Sequence, residues 1–298
     1  MNAGEKPAPG VVDYALLLAL AAIWGSAFLV IKFAVETVPA ATLTLSRLAI
    51  ASILLAVIAR AMRQSISRES GAMGWIVLSA LIGNALPFTL IAWGQEEIDS
   101  GVSAILMAFM PLSTVLMAHL FTRDEKLDRW KIGGVVFGTA GVVVLIGPAK
   151  LLALGDDVWR QLAVAGAALS YGLNAVVSKR LAGLPSMALV AWLMLISTVM
   201  MVPVTVIWDD LASIQPSTIS LVSTLVLGVV HTAIGALMLF LIIQRQGATF
   251  FSQVNFLIPI IGVFYGAVLL GEQLGSGAYL ALILILLGIA LARKKSRT

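Results

Sequence analysis

The sequence predicts an all-α integral membrane protein: ten transmembrane helices arranged as two inverted five-helix repeats. Two observations carry this expectation. Apolar residues make up 60% of the 298-residue chain, charged residues 11%, and mean hydropathy is +1.03. Such a chain has too little polar surface to cover a core in water. The chain also reads twice at a shift of 147 residues, pairing Gly25 with Gly172, Lys32 with Lys179, Glu125 with Glu272, Leu127 with Leu274 and Gly141 with Gly288. Trp24-Gly25-Ser26 in the first copy answers Tyr171-Gly172-Leu173 in the second. A duplicated module with an odd number of spans inserts its second copy upside down. Inverted repeats of this kind surround central sites that open alternately to the two sides of a membrane.

A helix crosses about 30 Å of hydrocarbon with roughly 20 apolar residues. Runs of this size fall near 12–34, 39–59, 73–94, 100–122, 130–147, 159–178, 187–208, 217–243, 249–270 and 276–292, the fifth being short and rich in glycine. They divide the chain into an N-terminal tail (1–11), a first repeat (12–147), a connector (148–158), a second repeat (159–292) and a basic tail (293–298). The loops leave no room for a nucleotide-binding domain, and no GxxxxGK[ST] phosphate loop occurs, which argues against an ATP-driven pump. Cysteine is absent, so disulfides and thiolate metal sites are excluded. The Ala19-Leu20-Ala21 run resembles a cleavage site but lies inside the first span, so no signal cleavage is expected. No cofactor, bound metal or nucleic-acid partner is expected; the partners are the lipid bilayer and a small-molecule substrate.

Charge then orients the spans. Fifteen of the 19 basic residues fall on one side: Lys6, Arg60, Arg63, Arg68, Arg123, Lys126, Arg129, Lys131, Lys179, Arg180, Arg245, Arg293, Lys294, Lys295 and Arg297. The other side collects Glu36, Glu96, Glu97, Asp99, Asp156, Asp157, Asp209, Asp210 and Glu272. Positive loops stay in the cytoplasm, so both termini are expected there and the 148–158 connector in the periplasm. The net charge of +4 is thus a topology signal. Lys32 and Lys179 then end their spans at opposite surfaces, as inversion requires.

Candidate site residues follow from depth. Trp24 and Tyr171 lie near the midplane of spans 1 and 6, where a polar tip needs a partner or a wet cavity. Asn174 and Ser178 continue the face of Tyr171. Asn84 is central in span 3 and His231 in span 8, between Gly228 and Gly235; His119 is read as interfacial. Spans 4 and 9 carry interior prolines, Pro111 and Pro259, which free backbone carbonyls and bend helices. Asn255 lies on the small or polar face of span 9. Trp24, Asn84, Tyr171, Asn174, His231 and Asn255 are therefore the candidate substrate-binding residues. Pro111, Pro259, Lys32, Lys179 and Arg47 are candidates for gating or hinge roles. Arg47, the one cation well inside a span, needs a partner there; Glu36, Glu96, Glu97 and Asp99 are available for a structural or gating ion pair, which is favoured over direct substrate contact. Gly134 and Gly138 form a GxxxG seam for helix packing, within the chain or across a homodimer.

These residues resemble the drug/metabolite transporter superfamily, EamA type. The resemblance rests on the paired Trp-Gly and Tyr-Gly starts, Lys32 and Lys179, the Arg47-Leu-Ala-Ile-Ala stretch and the Pro259…Leu270-Gly271-Glu272 block. It covers essentially the whole chain and is nearest to the YddG-type bacterial amino-acid exporters. It implies ten spans, cytoplasmic termini and export across the inner membrane. Thr122-Arg123-Asp124-Glu125 departs from the Leu-Gly-Glu pattern of the second copy, and the second repeat has Leu193 or its neighbours in place of Arg47.

The substrate reading rests on what the spans contain. No Asp or Glu lies deep in a span, which disfavours a cationic-drug antiporter, and only Arg47, Lys32 and Lys179 are available for a nucleotide sugar. Rings, amides and one histidine suit an amino acid or similar zwitterion, with purines and other neutral metabolites close behind. A membrane enzyme needs clustered His, Asp or Glu near an interface, and the two histidines are isolated. A scaffold protein leaves midplane polar residues unexplained. No catalytic residues are expected.

Overall fold

The computed structural model describes residues 8–66, 71–122, 127–147 and 156–293. The ends of both tails, Glu125 and most of the connector lie outside the described residues. Among these residues there are ten apolar helices and no strand: α1 (Val11–Val35), α2 (Ala40–Ala61), α3 (Met73–Gln95), α4 (Ser100–Phe121), α5 (Arg129–Ile146), α6 (Asp156–Ser178), α7 (Ser186–Trp208), α8 (Thr218–Gln246), α9 (Val254–Leu269) and α10 (Ser276–Ala292). Eight have 18 or more residues, while α9 and α10 have 16 and 17.

Local chemistry sets the ends. Pro39 and Pro185 precede α2 and α7, where the next N–H groups have no intrahelical partner anyway. The Asp128 carboxylate accepts the N–H groups of Trp130 (2.8 Å) and Lys131 (2.9 Å) to start α5. Gly147 (φ 89°) and Gly247 (φ 85°) end α5 and α8 in a backbone region that a side chain would strain. The ninth span differs from the sequence expectation: a short helical piece, Ala248–Phe251, is separated by a turn at Ser252 and Gln253 from α9.

Large apolar side chains also cover the outward surface. Val199, Val206, Leu225, Phe264, Leu280 and Ile283 are all exposed, a distribution suited to lipid rather than water. Small residues bring helices together inside. On α5, a methyl group at Gly134 would lie 2.6 Å from the Gly288 carbonyl oxygen, and one at Gly141 would lie 2.7 Å from Ile285 of α10. Gly138 packs against Leu112 and Phe109 of α4. The GxxxG seam is thus filled within the chain, which removes the sequence argument for using it across a homodimer.

Helix packing repeats between the halves. The α1–α9 contact has its counterpart in α6–α4, α3–α6 in α8–α1, and α2–α8 in α7–α3. Exchanging the halves also carries the α2–α7, α4–α9 and α5–α10 contacts onto themselves. Hydrogen bonds mark two ends of the bundle. At the terminal face, Arg245 of α8 meets Asp13 of α1 at 2.6 Å, and Met187 N–H donates to Gln64 at 3.0 Å. At the distal face, Arg160 at the start of α6 pairs with Glu96 beyond α3 at 2.6 Å. There too Thr42 of α2 donates to Asp209 after α7 at 2.7 Å, and Ser220 of α8 donates to the Phe33 carbonyl at 2.8 Å.

Candidate functional site

The centre of the bundle is built on two departures from regular α-helix. α3 passes through a π-helical stretch at Leu81–Ala85 and α8 through one at Leu227–Ile234. Asn84 and His231 sit inside them and are related by the same 147-residue shift. A π stretch displaces carbonyls from the i, i+4 ladder and offers them to other donors. In α3, the Ala80 carbonyl accepts from Ser197 of α7 at 2.8 Å and the Ile82 carbonyl from Ser170 of α6 at 2.6 Å. In α8, the Leu227 carbonyl accepts from Thr232 at 2.8 Å and the His231 carbonyl from the indole of Trp24 at 3.2 Å.

Trp24 reaches that carbonyl because its neighbours leave room. Gly235 of α8 has no Cβ; one built there would lie 2.6 Å from Trp24 Nε1. Phe251 closes the other side, edge-on with ring centroids 5.9 Å apart. The adjacent Gly25 lets α1 press on α9, where a Cβ would lie 2.6 Å from Ile261. Its counterpart Gly172 lets α6 press on the backbone of Ser113 and Thr114 in α4. The two aromatic-glycine pairs thus have one physical meaning: the glycine is the helix contact, and the residue before it is turned into the bundle.

His231 is buried, 4% exposed, and both ring nitrogens are engaged. Nδ1 lies 3.2 Å from the Val226 carbonyl and Nε2 lies 3.2 Å from the Ser26 hydroxyl. Arg47 enters from α2. Its Nε donates to Thr232 at 2.7 Å, and its guanidinium carbon lies 4.0 Å above the ring of Phe88 in α3. Tyr171 of α6 and His231 are both within electrostatic reach of this cation. Trp24, Ser26, Arg47, Phe88, Tyr171, His231 and Thr232 therefore form one central group drawn from α1, α2, α3, α6 and α8.

The other candidates are placed around it. Asn174 packs on Gly83 and accepts from Ser79 at 2.7 Å, fastening α6 to the first half of α3. Asn84 is buried at 7% exposure, while Asn255 is half-buried near the start of α9. Gln95 is fully buried and donates to the Phe28 carbonyl at 3.2 Å. Lys32 donates to the carbonyls of Gln95 (2.9 Å) and Ile98 (3.0 Å), closing the distal ends of α1 and α3 together. Lys179 lies in a 3-10 turn after α6. His119, near the end of α4, accepts the Leu127 N–H at 3.3 Å.

Two expectations change. Arg47 forms no pair with the acidic loop residues: Glu96 is taken by Arg160, and among the described residues no carboxylate pairs with Arg47. The reason is direction, because Arg47 points sideways to α3 and α8 rather than along α2 to the loop. The prolines are also unequal. Pro111 opens the second half of α4, just past a break at Ala108 and Phe109, whereas Pro259 lies inside α9. Ser26, Phe88 and Thr232 were not singled out by sequence, although Phe88 is one helical turn beyond Asn84 and Thr232 adjoins His231. A separate cavity of about 350 Å³ at the distal face is lined by Glu97, Asp99, Asp157 and Gln161.

A central polar group inside an apolar bundle suits a membrane carrier, and known proteins agree. The EamA-like transporter family model matches residues 13–147 and again 158–293. The chain is 25% identical to an uncharacterized transporter, YoaV, of Bacillus subtilis, over 92% of this chain and 94% of that protein. It is 26% identical to an S-adenosylmethionine/S-adenosylhomocysteine transporter of Chlamydia trachomatis, over 93% of this chain and 87% of the relative. It is also 26% identical to a probable terminal-alkyne amino-acid exporter of Streptantibioticus cattleyicolor, over 84% and 82%. One crystal structure superposes with a TM-score of 0.66 at 19% identity, covering 95% of this chain and 97% of that one, which establishes a shared fold. With both halves matched and apolar helices throughout, this multi-pass membrane protein belongs to the EamA-like transporter family.

Proposed function

We propose that the chain is a secondary transporter that exports amino acids, aromatic or other apolar ones included, or similar small zwitterionic metabolites across the bacterial inner membrane. It works by alternating access, with ten spans in two inverted repeats and both termini in the cytoplasm. It performs no chemistry on its substrate. The observation that carries the reading is the central group itself: one cation, one imidazole and the rings of Trp24, Phe88 and Tyr171, gathered where the surrounding surface is apolar. A zwitterion with an apolar side chain matches that mixture of charge and ring surface. The relatives named for S-adenosylmethionine and for a terminal-alkyne amino acid support it, since both molecules carry an α-amino-acid group. The half-exchange symmetry of the helix contacts supports the two-repeat arrangement.

Reconstitution into liposomes with a panel of labelled amino acids, purines and cationic drugs at several pH values tests the substrate. Saturable flux of apolar amino acids is expected; flux confined to the other classes overturns the assignment. A reporter fused at residue 126 tests the orientation, and a periplasmic signal there overturns it.

A further inference from the structure

Among the described residues Arg47 is a cation without a counter-ion. It lies seven residues into α2, about 11 Å from the helix start at 1.5 Å per residue. At that depth a charge is costly unless something of opposite sign meets it. Arg160 has Glu96 and Arg245 has Asp13, both at 2.6 Å. Arg47, by contrast, has a neutral hydroxyl and a ring, neither of which cancels a full charge. The residue as a whole is intermediate in exposure, so it is not among the fully packed positions of α2.

The guanidinium is held in a defined pose. Thr232 engages Nε and is itself anchored to the Leu227 carbonyl in the π-helical stretch of α8; Phe88 covers one side. This leaves both terminal amino groups, the fork that accepts a carboxylate through two parallel hydrogen bonds. Among the described residues the bond to Thr232 is the only one Arg47 makes. We infer that Arg47 is the anion anchor of the transported molecule, binding its carboxylate through the terminal amino groups beside Phe88, Tyr171 and His231. The inference rests on the proposed transport reading and names the substrate feature that the site selects.

The test uses purified full-length protein in detergent, with thermal unfolding shifts read for three probes. L-phenylalanine carries both charges, 3-phenylpropionate the carboxylate alone and 2-phenylethylamine the ammonium alone. The two acids are expected to raise the unfolding temperature and the amine to leave it unchanged. Arg47→Gln is expected to weaken both acids by about tenfold or more, the loss of one bidentate charged contact. Arg47→Lys keeps a point charge and retains part of the binding. Thr232→Val leaves the charge but frees its pose, so it weakens the acids by less; it also decides the matter if Arg47→Gln does not fold. Unchanged acid binding in both variants overturns the anchor, as does a wild-type protein that no acid stabilises or that the amine stabilises equally. Acid binding lost in Arg47→Gln without liposome flux of any amino acid keeps the anchor and overturns the amino-acid reading. Wild-type flux of L-phenylalanine in Arg47→Gln does the reverse.

Discussion

Glu272, in the turn between α9 and α10, accepts the backbone N–H of Ser100 at 2.8 Å, so a residue from the second half of the chain caps a helix in the first. Its other oxygen accepts the Gly101 N–H at 2.9 Å, and Gly266 packs against the same carboxylate. A carboxylate at a helix N-terminus satisfies orphan N–H groups and complements the helix dipole. Glu272→Ala is expected to cost about 1–2 kcal/mol of stability, read as a lower unfolding temperature. An unchanged unfolding temperature removes Glu272 from the cap.

Asp99 immediately precedes that cap. Desolvation, and next the Glu272 carboxylate, raise its pKa above the ordinary 3.8, with Lys32 pulling the other way. Folding therefore favours protonated Asp99. The penalty is absent below the ordinary value, grows as pH rises above it and is complete once pH has passed the raised one. Asp99→Asn is expected to unfold at a higher temperature than wild type at neutral pH, the gap closing as the buffer is acidified. A gap that widens in acid contradicts the sign.

The two faces are latched by different pairs, Asp13 with Arg245 and Arg160 with Glu96. If access alternates, weakening one latch shifts the population toward the state open on that face. The chain has no cysteine, so a single Ser26→Cys reports accessibility of the centre. Asp13→Asn is expected to increase its labelling from the terminal side, and Glu96→Gln from the distal side, using impermeant thiol reagents on membranes of each orientation. Labelling that ignores both substitutions dismisses the latches.

Gly25 and Gly172 are expected to differ in tolerance. A Cβ at Gly172 meets backbone at close range, the Ser113 carbonyl carbon at 2.7 Å and the Thr114 nitrogen at 2.8 Å; at Gly25 it meets Ile261 Cγ2 at 2.6 Å and Cβ at 2.7 Å, with backbone no nearer than the Ile258 oxygen at 3.2 Å. Gly172→Ala should cost about 1–3 kcal/mol, and Gly25→Ala less. Equal unfolding temperatures for the two variants contradict that ranking.

Much of this architecture was legible in the sequence, because lipid demands long apolar runs and all ten were found within a few residues, apart from the break before α9. The 147-residue shift also exposed Trp24-Gly25 and Tyr171-Gly172, whose glycines mediate helix contacts. The π stretches were not legible. One residue gained per turn leaves composition unchanged, yet it turns His231 and Thr232 toward α1 and α2. For the same reason Arg47 was expected to pair with a loop carboxylate, since sequence depth says nothing about the direction in which a side chain leaves its helix.

Trp24 and His231 form the most exposed consequence of the transport reading. The indole N–H holds the His231 carbonyl at 3.2 Å, and Ser26 holds the imidazole at 3.2 Å, so α1 and α8 share one polar junction beside Arg47. Trp24→Phe keeps a ring but strands that carbonyl, and flux is expected to fall by about tenfold, the effect of one interaction worth about 1.4 kcal/mol. Trp24→Ala also removes the edge contact with Phe251 and His231→Ala removes the imidazole, so both should transport less than Trp24→Phe. The loss should be steepest for substrates with large apolar side chains, because a missing ring forfeits stacking before polar contacts. Membrane expression is expected to stay near wild type, since lipid-facing residues and the α5–α10 seam are untouched. Normal liposome flux in the Trp24→Ala/His231→Ala double variant refutes a substrate role for the junction and reduces it to a packing contact.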